Sequence, residues 1–140
     1  MNTLLIPVDG SEASIRALQV GIDKAARAPG TTVHLLNVQP AIPASITDFV
    51  RAESVADLHR KEGEKALVRA RALLASTKLD HRVAIEVGPV AETIADYARA
   101  QVCDAIVMGT RGLGRVAGLL LGSVTSKVIS LVEVPVTLVK

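Results

Sequence analysis

The chain has 140 residues, of which 49% are hydrophobic and 21% are charged, with a formal net charge of +2. This length fits one domain over residues 1–140, and the apolar content suffices for a sizeable core. A small net charge and 1% aromatic residues argue against a nucleic-acid-binding protein, because phosphate neutralisation and base stacking both need such residues in number. No apolar run approaches the roughly 18 residues that a membrane span requires.

The N-terminus and the single cysteine predict a cytoplasmic protein. The segment MNTLLIPVDG has neither the basic region nor the long apolar region of a signal peptide. Cys103 has no second cysteine to form an intramolecular disulfide, which fits a reducing compartment. We expect it to be a small buried residue at the start of a strand.

The first half of the chain predicts two strands separated by a helix. Residues 3–8 form an apolar run without alternation, as in a strand buried on both faces. A helix follows, with Ser11 or Asp9 as its cap and Pro29-Gly30 as its end. Residues 32–38 read as the second strand, and the segment from Gln39 to Arg51, with two prolines and no period, reads as a surface loop.

The second half repeats the alternation. A long helix is predicted from about Ala52 to Ser76, with a broken apolar stripe that includes Leu58 and Leu67. The alternation of residues 81–87 indicates a third strand, at a sheet edge with one wetter face.

The remaining elements complete the predicted sheet. Gly88-Pro89 opens a third helix, residues 104–108 form the fourth strand, a last helix begins near Ser123, and residues 135–139 form the fifth strand. Apolar strands that alternate with helices predict an α/β fold with a parallel sheet, helices on both faces and right-handed crossovers.

A glycine-rich segment from Gly109 to Val124 joins the fourth strand to the last helix and holds five of the ten glycines. Such a connection is typical of phosphate binding, because glycines let backbone N–H groups converge on an anion at the positive end of a helix. One helix end contributes only about 0.3–1 kcal/mol, whereas a micromolar ligand needs about 8 kcal/mol. A second binding surface is therefore required.

The turn after the first strand, Pro7 to Ser11, supplies this surface if the first and fourth strands are neighbours. Ligands of open parallel sheets bind at the carboxyl ends of strands where the strand order reverses. Asp9 would offer a carboxylate to ribose hydroxyls or, through water, to a metal; helix capping is its other possible role. Val8 and Val38 would flank an apolar slot for a base.

Other motifs are absent or weak. The chain has no GxxxxGK[ST] string, and the GxGxxA match at 112–117 lies too late in the chain to open a dinucleotide-binding unit. The three histidines are not paired with Cys103 or with spaced carboxylates, which argues against a zinc site. Ser123 either contacts phosphate or caps the last helix, and Arg111 and Arg115 either screen phosphates or are solvated. The Thr125 and Ser126 hydroxyls either contact phosphate or have surface or cap roles, of which we expect the latter, and for Lys127 we expect a solvated helix position.

The spacing Gly109-x2-Gly112-x9-Gly122-Ser123 resembles the glycine pattern of the universal stress protein family. Pro7-Val-Asp-Gly-Ser11 resembles that family's N-terminal signature, and Pro135 to Val139 its closing strand. The resemblance spans the whole chain, including a variable segment after the second strand. It implies an open five-stranded sheet of order 3-2-1-4-5 in a Rossmann-like fold of the adenine nucleotide alpha hydrolase type, with the first and fourth strands side by side.

The resemblance also implies a ligand, because members with this complete glycine pattern bind ATP, usually with a divalent metal. The ion, Mg²⁺ or Mn²⁺, would be held mainly by the phosphates. Adenine and ribose would be contacted by Pro7, Val8, Asp9, Val38, Met108 and Gly109. Phosphates would be held by Gly112, Gly122, Ser123 and Val124, with Arg111 nearby. Arg115-Val-Ala117 departs from the smaller residues of many members, which leaves the contacts of the outer phosphates open.

The family dimerises through its last strand, so the resemblance implies an antiparallel pairing of Val134 to Val139 with a second copy, which would also cover an exposed edge. The function implied is a homodimeric, ATP-dependent switch in the stress response, with a downstream protein partner that the sequence does not identify. Two alternatives stay open. One is a slow ATPase or phosphotransferase in the same pocket, for which no general base is evident. The other is a nucleotide-free dimeric interaction module.

Overall fold

The computed structural model describes residues 2–47, 51–112 and 120–140. The strands in these ranges are β1 (Thr3–Pro7), β2 (Thr32–Gln39), β3 (Asp80–Val87), β4 (Ala105–Gly109) and β5 (Val136–Val139). The helices are α1 (Glu12–Ala26), α2 (Ala44–Thr47), α3 (Ala52–Ala75), α4 (Val90–Ala100) and α5 (Ser123–Leu131).

The strands form one parallel sheet of order β3-β2-β1-β4-β5, which confirms the predicted fold class and strand order. The central strand β1 pairs with β2 on one side, Thr3 opposite Thr32, and with β4 on the other, Leu4 opposite Ala105. The chain builds the sheet outward from β1 to β3 and then crosses to β4. The strand order therefore reverses between β1 and β4, where a ligand crevice is expected.

The two faces of the sheet are covered by different helices. Leu4 and Ile6 of β1 pack with α1 and α3 in one apolar cluster, whereas Leu5 packs with α4 and α5 in the other. All three side chains are fully buried. Successive strand residues point to opposite faces, and both faces are covered, so β1 is apolar at every buried position instead of alternating.

Two local expectations are wrong. The segment between β2 and α3 is not all loop, since it contains the short helix α2; residues 48–50 lie outside the described ranges. Leu58 is not part of a buried stripe, because 48% of it is exposed. The buried residues of α3 begin at Gly63, where a Cβ would lie only 2.8 Å from side-chain atoms of Ile85 in β3. The helix thus meets the sheet closely from this glycine onward.

Two other expectations are confirmed. β3 lies at the edge of the sheet, as predicted; its residues are exposed at both ends and half-buried in the middle, so the predicted single wetter face is not seen. Cys103 is buried before β4, and its burial raises the pKa of the thiol to about 11. Across the part of the chain that the structure describes, no helix has the length and apolar character of a membrane span.

Candidate functional site

The turn after β1 is fixed by a short series of hydrogen bonds. Asp9 Oδ1 accepts the Ser11 backbone N–H at 2.9 Å, and Ser11 Oγ accepts the Ser14 N–H at 3.2 Å. Ser11 is therefore the residue that caps α1, and Asp9 braces the turn instead. Gly10 has a φ of +86°, and a Cβ there would lie 3.4 Å from Ala66 Cα, so the turn packs directly against α3.

The connection from β4 to α5 is fixed at its two ends. The Gly122 N–H donates to the Thr110 carbonyl at 2.7 Å, and Thr125 Oγ1 donates to the Gly109 carbonyl at 2.9 Å. Gly122 is the N-cap of α5 and Ser123 its first helical residue, so the capping role considered for Ser123 is wrong. Thr125 is buried, not on the surface, because its hydroxyl satisfies the last carbonyl of β4.

These two connections touch each other across the crevice between β1 and β4. A Cβ built on Gly112 would overlap Asp9 Oδ2. A second close approach lies at the last residue of β4, where a Cβ on Gly109 would lie 3.0 Å from the Ala13 Cβ of α1. Glycine at these positions lets the segment after β4 lie against the Asp9 turn and lets α1 lie against β4.

A cavity of about 670 Å³ opens at this point, at the carboxyl ends of the strands. The structure brings all eleven predicted site residues to its wall: Pro7, Val8, Asp9, Val38, Met108, Gly109, Arg111, Gly112, Gly122, Ser123 and Val124. Their contacts with a ligand stay a prediction. Arg115 and two further glycines of the glycine-rich segment, Gly114 and Gly118, lie outside the described ranges.

The cavity wall has an apolar part and a polar part. Leu36, Val38, Val90, Ile94 and Met108 line the apolar part and belong to one apolar cluster. The polar part includes the Asp9 carboxylate, Arg111 and the first residues of α5. The first backbone N–H groups of a helix lack partners within it and bear partial positive charge. This arrangement can take a flat apolar group at one end and an anionic group at the other.

Sequence reasoning missed part of the wall. Asn37 and Gln39 of β2 line the cavity, and so do Glu62 and Lys65 of α3. Asn37 could have been noticed as an amide inside an otherwise apolar strand. Lys65 carries no local signal, because its place at the cavity depends on how α3 crosses the Asp9 turn.

The remaining polar candidates lie apart from the cavity wall. His34 is buried within β2 and its Nδ1 lies 2.8 Å from the Tyr97 hydroxyl, and burial lowers the pKa of this histidine. Lys127 forms a 2.6 Å ion pair with Glu92 that joins α5 to α4 and lowers the pKa of the glutamate carboxyl. Within the described ranges, no group of three or more His, Cys, Asp or Glu side chains could hold a metal ion.

Known proteins resemble this chain in both sequence and architecture. The model of the universal stress protein family matches residues 1–140. A universal stress protein of Thermus aquaticus is 33% identical over 138 residues, which cover 99% of this chain and 98% of the relative. Universal stress protein UspA from Lactobacillus plantarum superposes with a TM-score of 0.85 at 26% identity, over 99% of this chain and 97% of that one.

A further solved structure carries a ligand. It is a universal stress protein in complex with cAMP, which superposes with a TM-score of 0.66 at 26% identity and covers 99% of this chain and 97% of that chain. Each of these likenesses extends over nearly the full length of both proteins.

Proposed function

The chain belongs to the universal stress protein family, and on that premise we propose that it binds an adenine nucleotide in the cavity between β1 and β4. The observation that carries the proposal is the contact of the Asp9 turn with Gly112. This contact sets a carboxylate beside the N-terminus of α5 at one end of an apolar slot. The structural relative in complex with cAMP supports the proposal, since an adenine nucleotide occupies a protein of the same fold.

The proposed ligand is ATP, with Mg²⁺ or Mn²⁺ held mainly by its phosphates. The volume of about 670 Å³ falls within the roughly 300–1,000 Å³ of small-molecule sites. Asp9 is suited to ribose hydroxyls, and the backbone N–H groups at Gly122 and Ser123 are suited to phosphate oxygens. Among the described residues, the wall carries two acidic side chains, Asp9 and Glu62, and two basic ones, Lys65 and Arg111.

The proposed role is that of a homodimeric switch in the stress response, acting in the cytoplasm as one domain. Nucleotide would bind one conformation better than another and so change which protein partner docks. Dimerisation through Val134 to Val139 is supported by the place of β5 at the edge of the sheet. The carbonyls of Pro135 and Val139 accept hydrogen bonds from the β4 side. Because the backbone groups of successive strand residues point to opposite sides, the N–H and C=O of Val136 face the free edge of the sheet.

The test of the ligand is chromatography of the small molecules that are released when freshly purified protein is denatured. We expect ATP near one per chain, or stoichiometric binding of Mg·ATP by calorimetry if the protein purifies empty. ADP in place of ATP would favour the slow hydrolase. A protein that stays empty after incubation with Mg·ATP would overturn the proposal in favour of the interaction module.

A matched pair of substitutions tests the phosphate end. Gly122→Val places a branched side chain at the N-cap of α5, where a Cβ has room within the protein at 3.5 Å from Arg111 Cα. Any loss of affinity would therefore come from crowding the ligand. Ser126→Val adds a similar side chain to an exposed position of the same helix, away from the cavity wall. We expect Gly122→Val to lower nucleotide affinity at least tenfold and Ser126→Val to leave it unchanged.

The dimer is tested by light scattering of wild type and of Val136→Pro. This proline removes an N–H that points away from β4, so it should yield monomers without breaking the β4–β5 ladder. Thr137→Pro is the control, since it removes an N–H on the β4 side and should instead lower stability. A wild-type chain that is monomeric at all concentrations would refute the dimeric part of the proposal.

A further inference from the structure

Two amide side chains at the end of β2 form an ordered pair inside the cavity wall. Asn37 is only 2% exposed, and its Nδ2 donates to the Val8 carbonyl at 2.8 Å. Gln39 Nε2 donates to Asn37 Oδ1 at 2.7 Å. The orientation of both amides follows from their partners: a carbonyl only accepts, so Asn37 must present its NH₂ to Val8, and its remaining oxygen must then receive the NH₂ of Gln39.

This pair acts where the sheet opens into the cavity. The β1–β2 ladder pairs residues up to Pro7 opposite Leu36, and the Val8 N–H makes one more bond, to the Leu36 carbonyl at 2.8 Å. The next group along, the Val8 carbonyl, is satisfied by the Asn37 side chain. A side chain thus takes the place of a strand partner, and it fixes the backbone of Val8, the residue between the end of β1 and Asp9.

The pair lies at the same strand end as two apolar residues of the cavity wall. Asn37 and Gln39 line the cavity together with the apolar residues Leu36 and Val38 of the same strand. The anionic end of a nucleotide would lie at α5, on the other side of β1. A buried amide that holds a backbone carbonyl beside an apolar slot controls which edge of a flat ring can form hydrogen bonds there. If the carbonyl moves away, polar groups of the ring are left without a hydrogen-bond partner.

We propose that the Asn37–Gln39 amide pair is the positioning element for the nucleobase, with Asn37 as the positioning residue that fixes the Val8 carbonyl at the base end of the cavity. This inference rests on the proposed nucleotide binding. In this proposal, side chains determine which nucleobase binds, whereas the glycines and the N-terminus of α5 would hold the phosphates.

The experiment compares Asn37→Leu with His34→Leu in the full chain. Asn37→Leu removes two side-chain hydrogen bonds at the end of β2, and His34→Leu removes one from a buried position of the same strand. His34 bonds to Tyr97 and does not line the cavity. Dissociation constants for AMP and GMP are measured by calorimetry, with the melting temperature of each variant. We expect Asn37→Leu to raise the dissociation constant for AMP about tenfold and to reduce the preference for AMP over GMP by a similar factor. His34→Leu should lower the melting temperature and leave both constants unchanged.

A milder variant covers the case in which Asn37→Leu does not fold. Gln39→Met keeps the hydrogen bond from Asn37 to the Val8 carbonyl but removes the one that the Asn37 oxygen accepts. Gln39 is half-buried near the end of β2. This variant should raise the dissociation constant for AMP about threefold. Unchanged base preference in the folded variants, or an equal loss for AMP and GMP, would overturn the inference while wild-type binding upheld the proposed function. A wild-type chain that binds neither nucleotide would overturn both.

Discussion

The contact between Gly112 and the Asp9 carboxylate can be tested without any ligand. A methyl group on Gly112 would overlap Asp9 Oδ2, so in Gly112→Ala the carboxylate must rotate away. We expect this movement to break the hydrogen bond that the Ser11 N–H donates to Asp9 Oδ1, which is 2.9 Å long. A hydrogen bond to a charged group contributes about 1.5–3 kcal/mol, and we take the lower end, about 1.5 kcal/mol, because the site is only partly buried.

This free energy converts into a measurable shift of the melting temperature. A chain of this length has an unfolding entropy near 0.3 kcal/mol/K, so a loss of about 1.5 kcal/mol lowers the melting temperature by about 5 °C. Asp9→Ala should cost a similar amount, because it removes the same hydrogen bond. The double variant should cost about 1.5 kcal/mol rather than about 3, since no carboxylate remains for the Gly112→Ala methyl group to displace.

The assay is urea unfolding of wild type, both single variants and the double variant. Residues in contact show a coupling free energy well above the roughly 0.5 kcal/mol within which distant sites add. Additive effects of the two substitutions would refute the contact, and with it the claim that the two connections share one site.

Three further predictions each concern one side chain. Because burial raises the pKa of Cys103 from 9.0 to about 11, the unfolded chain ionises first, and the free energy of unfolding should fall between pH 9 and 11. Thr125→Val leaves the Gly109 carbonyl without its 2.9 Å bond and should lower the melting temperature by about 3–10 °C, for a loss of about 1–3 kcal/mol. Hydrogen bonds from the Thr3 and Asn2 N–H groups lower the pKa of the Asp104 carboxyl, so their stabilising effect should be present above the ordinary pKa of the carboxyl and be lost as the pH falls through its native pKa. The protection of the Thr3 N–H against hydrogen exchange, taken relative to the intrinsic rate at each pH, should then fall.

Each of these three measurements has its own control variant. Cys103→Ala isolates the thiol from other groups that titrate at alkaline pH, and an identical pH dependence in this variant would contradict the assignment. Ser126→Ala is exposed on the same helix as Thr125 and should leave the melting temperature unchanged. Asp104→Asn should remove the acid-dependent part of the exchange at Thr3; the same acid dependence in that variant would show that another group is responsible.

Most of the architecture was predictable from local patterns because the central strands are buried on both faces and several connections are marked by glycine, proline or a capping residue. The strand order was not: it came from the family resemblance, because no local pattern says which strand lies beside β1. Leu58 shows the opposite failure, since helical spacing predicts a buried stripe but cannot tell where a helix leaves the sheet. That point is set by the close approach of Gly63 to Ile85.

The site was predictable to the extent that its residues lie on two marked segments. The Asp9 turn and the glycine-rich segment can be recognised in the sequence from their residue types. Asn37 and Lys65 do not, because an amide in a strand and a lysine on a helix become cavity residues only through tertiary packing. The role of Thr125 was misjudged for the same reason: its partner is the Gly109 carbonyl, 16 residues earlier in the chain.

The two sides of the cavity come from segments about 100 residues apart in the chain, and they meet only when β1 pairs with β4. Pairings between such distant segments form late and slowly, since loop closure opposes them until the sheet assembles. A fragment that ended before β4 would carry Asp9 but no binding site. A ligand that needs both sides can bind only the native state, so it would raise the free energy of global unfolding. Saturation would therefore slow hydrogen exchange of the core amides of β1 and β4 together, and by the same factor.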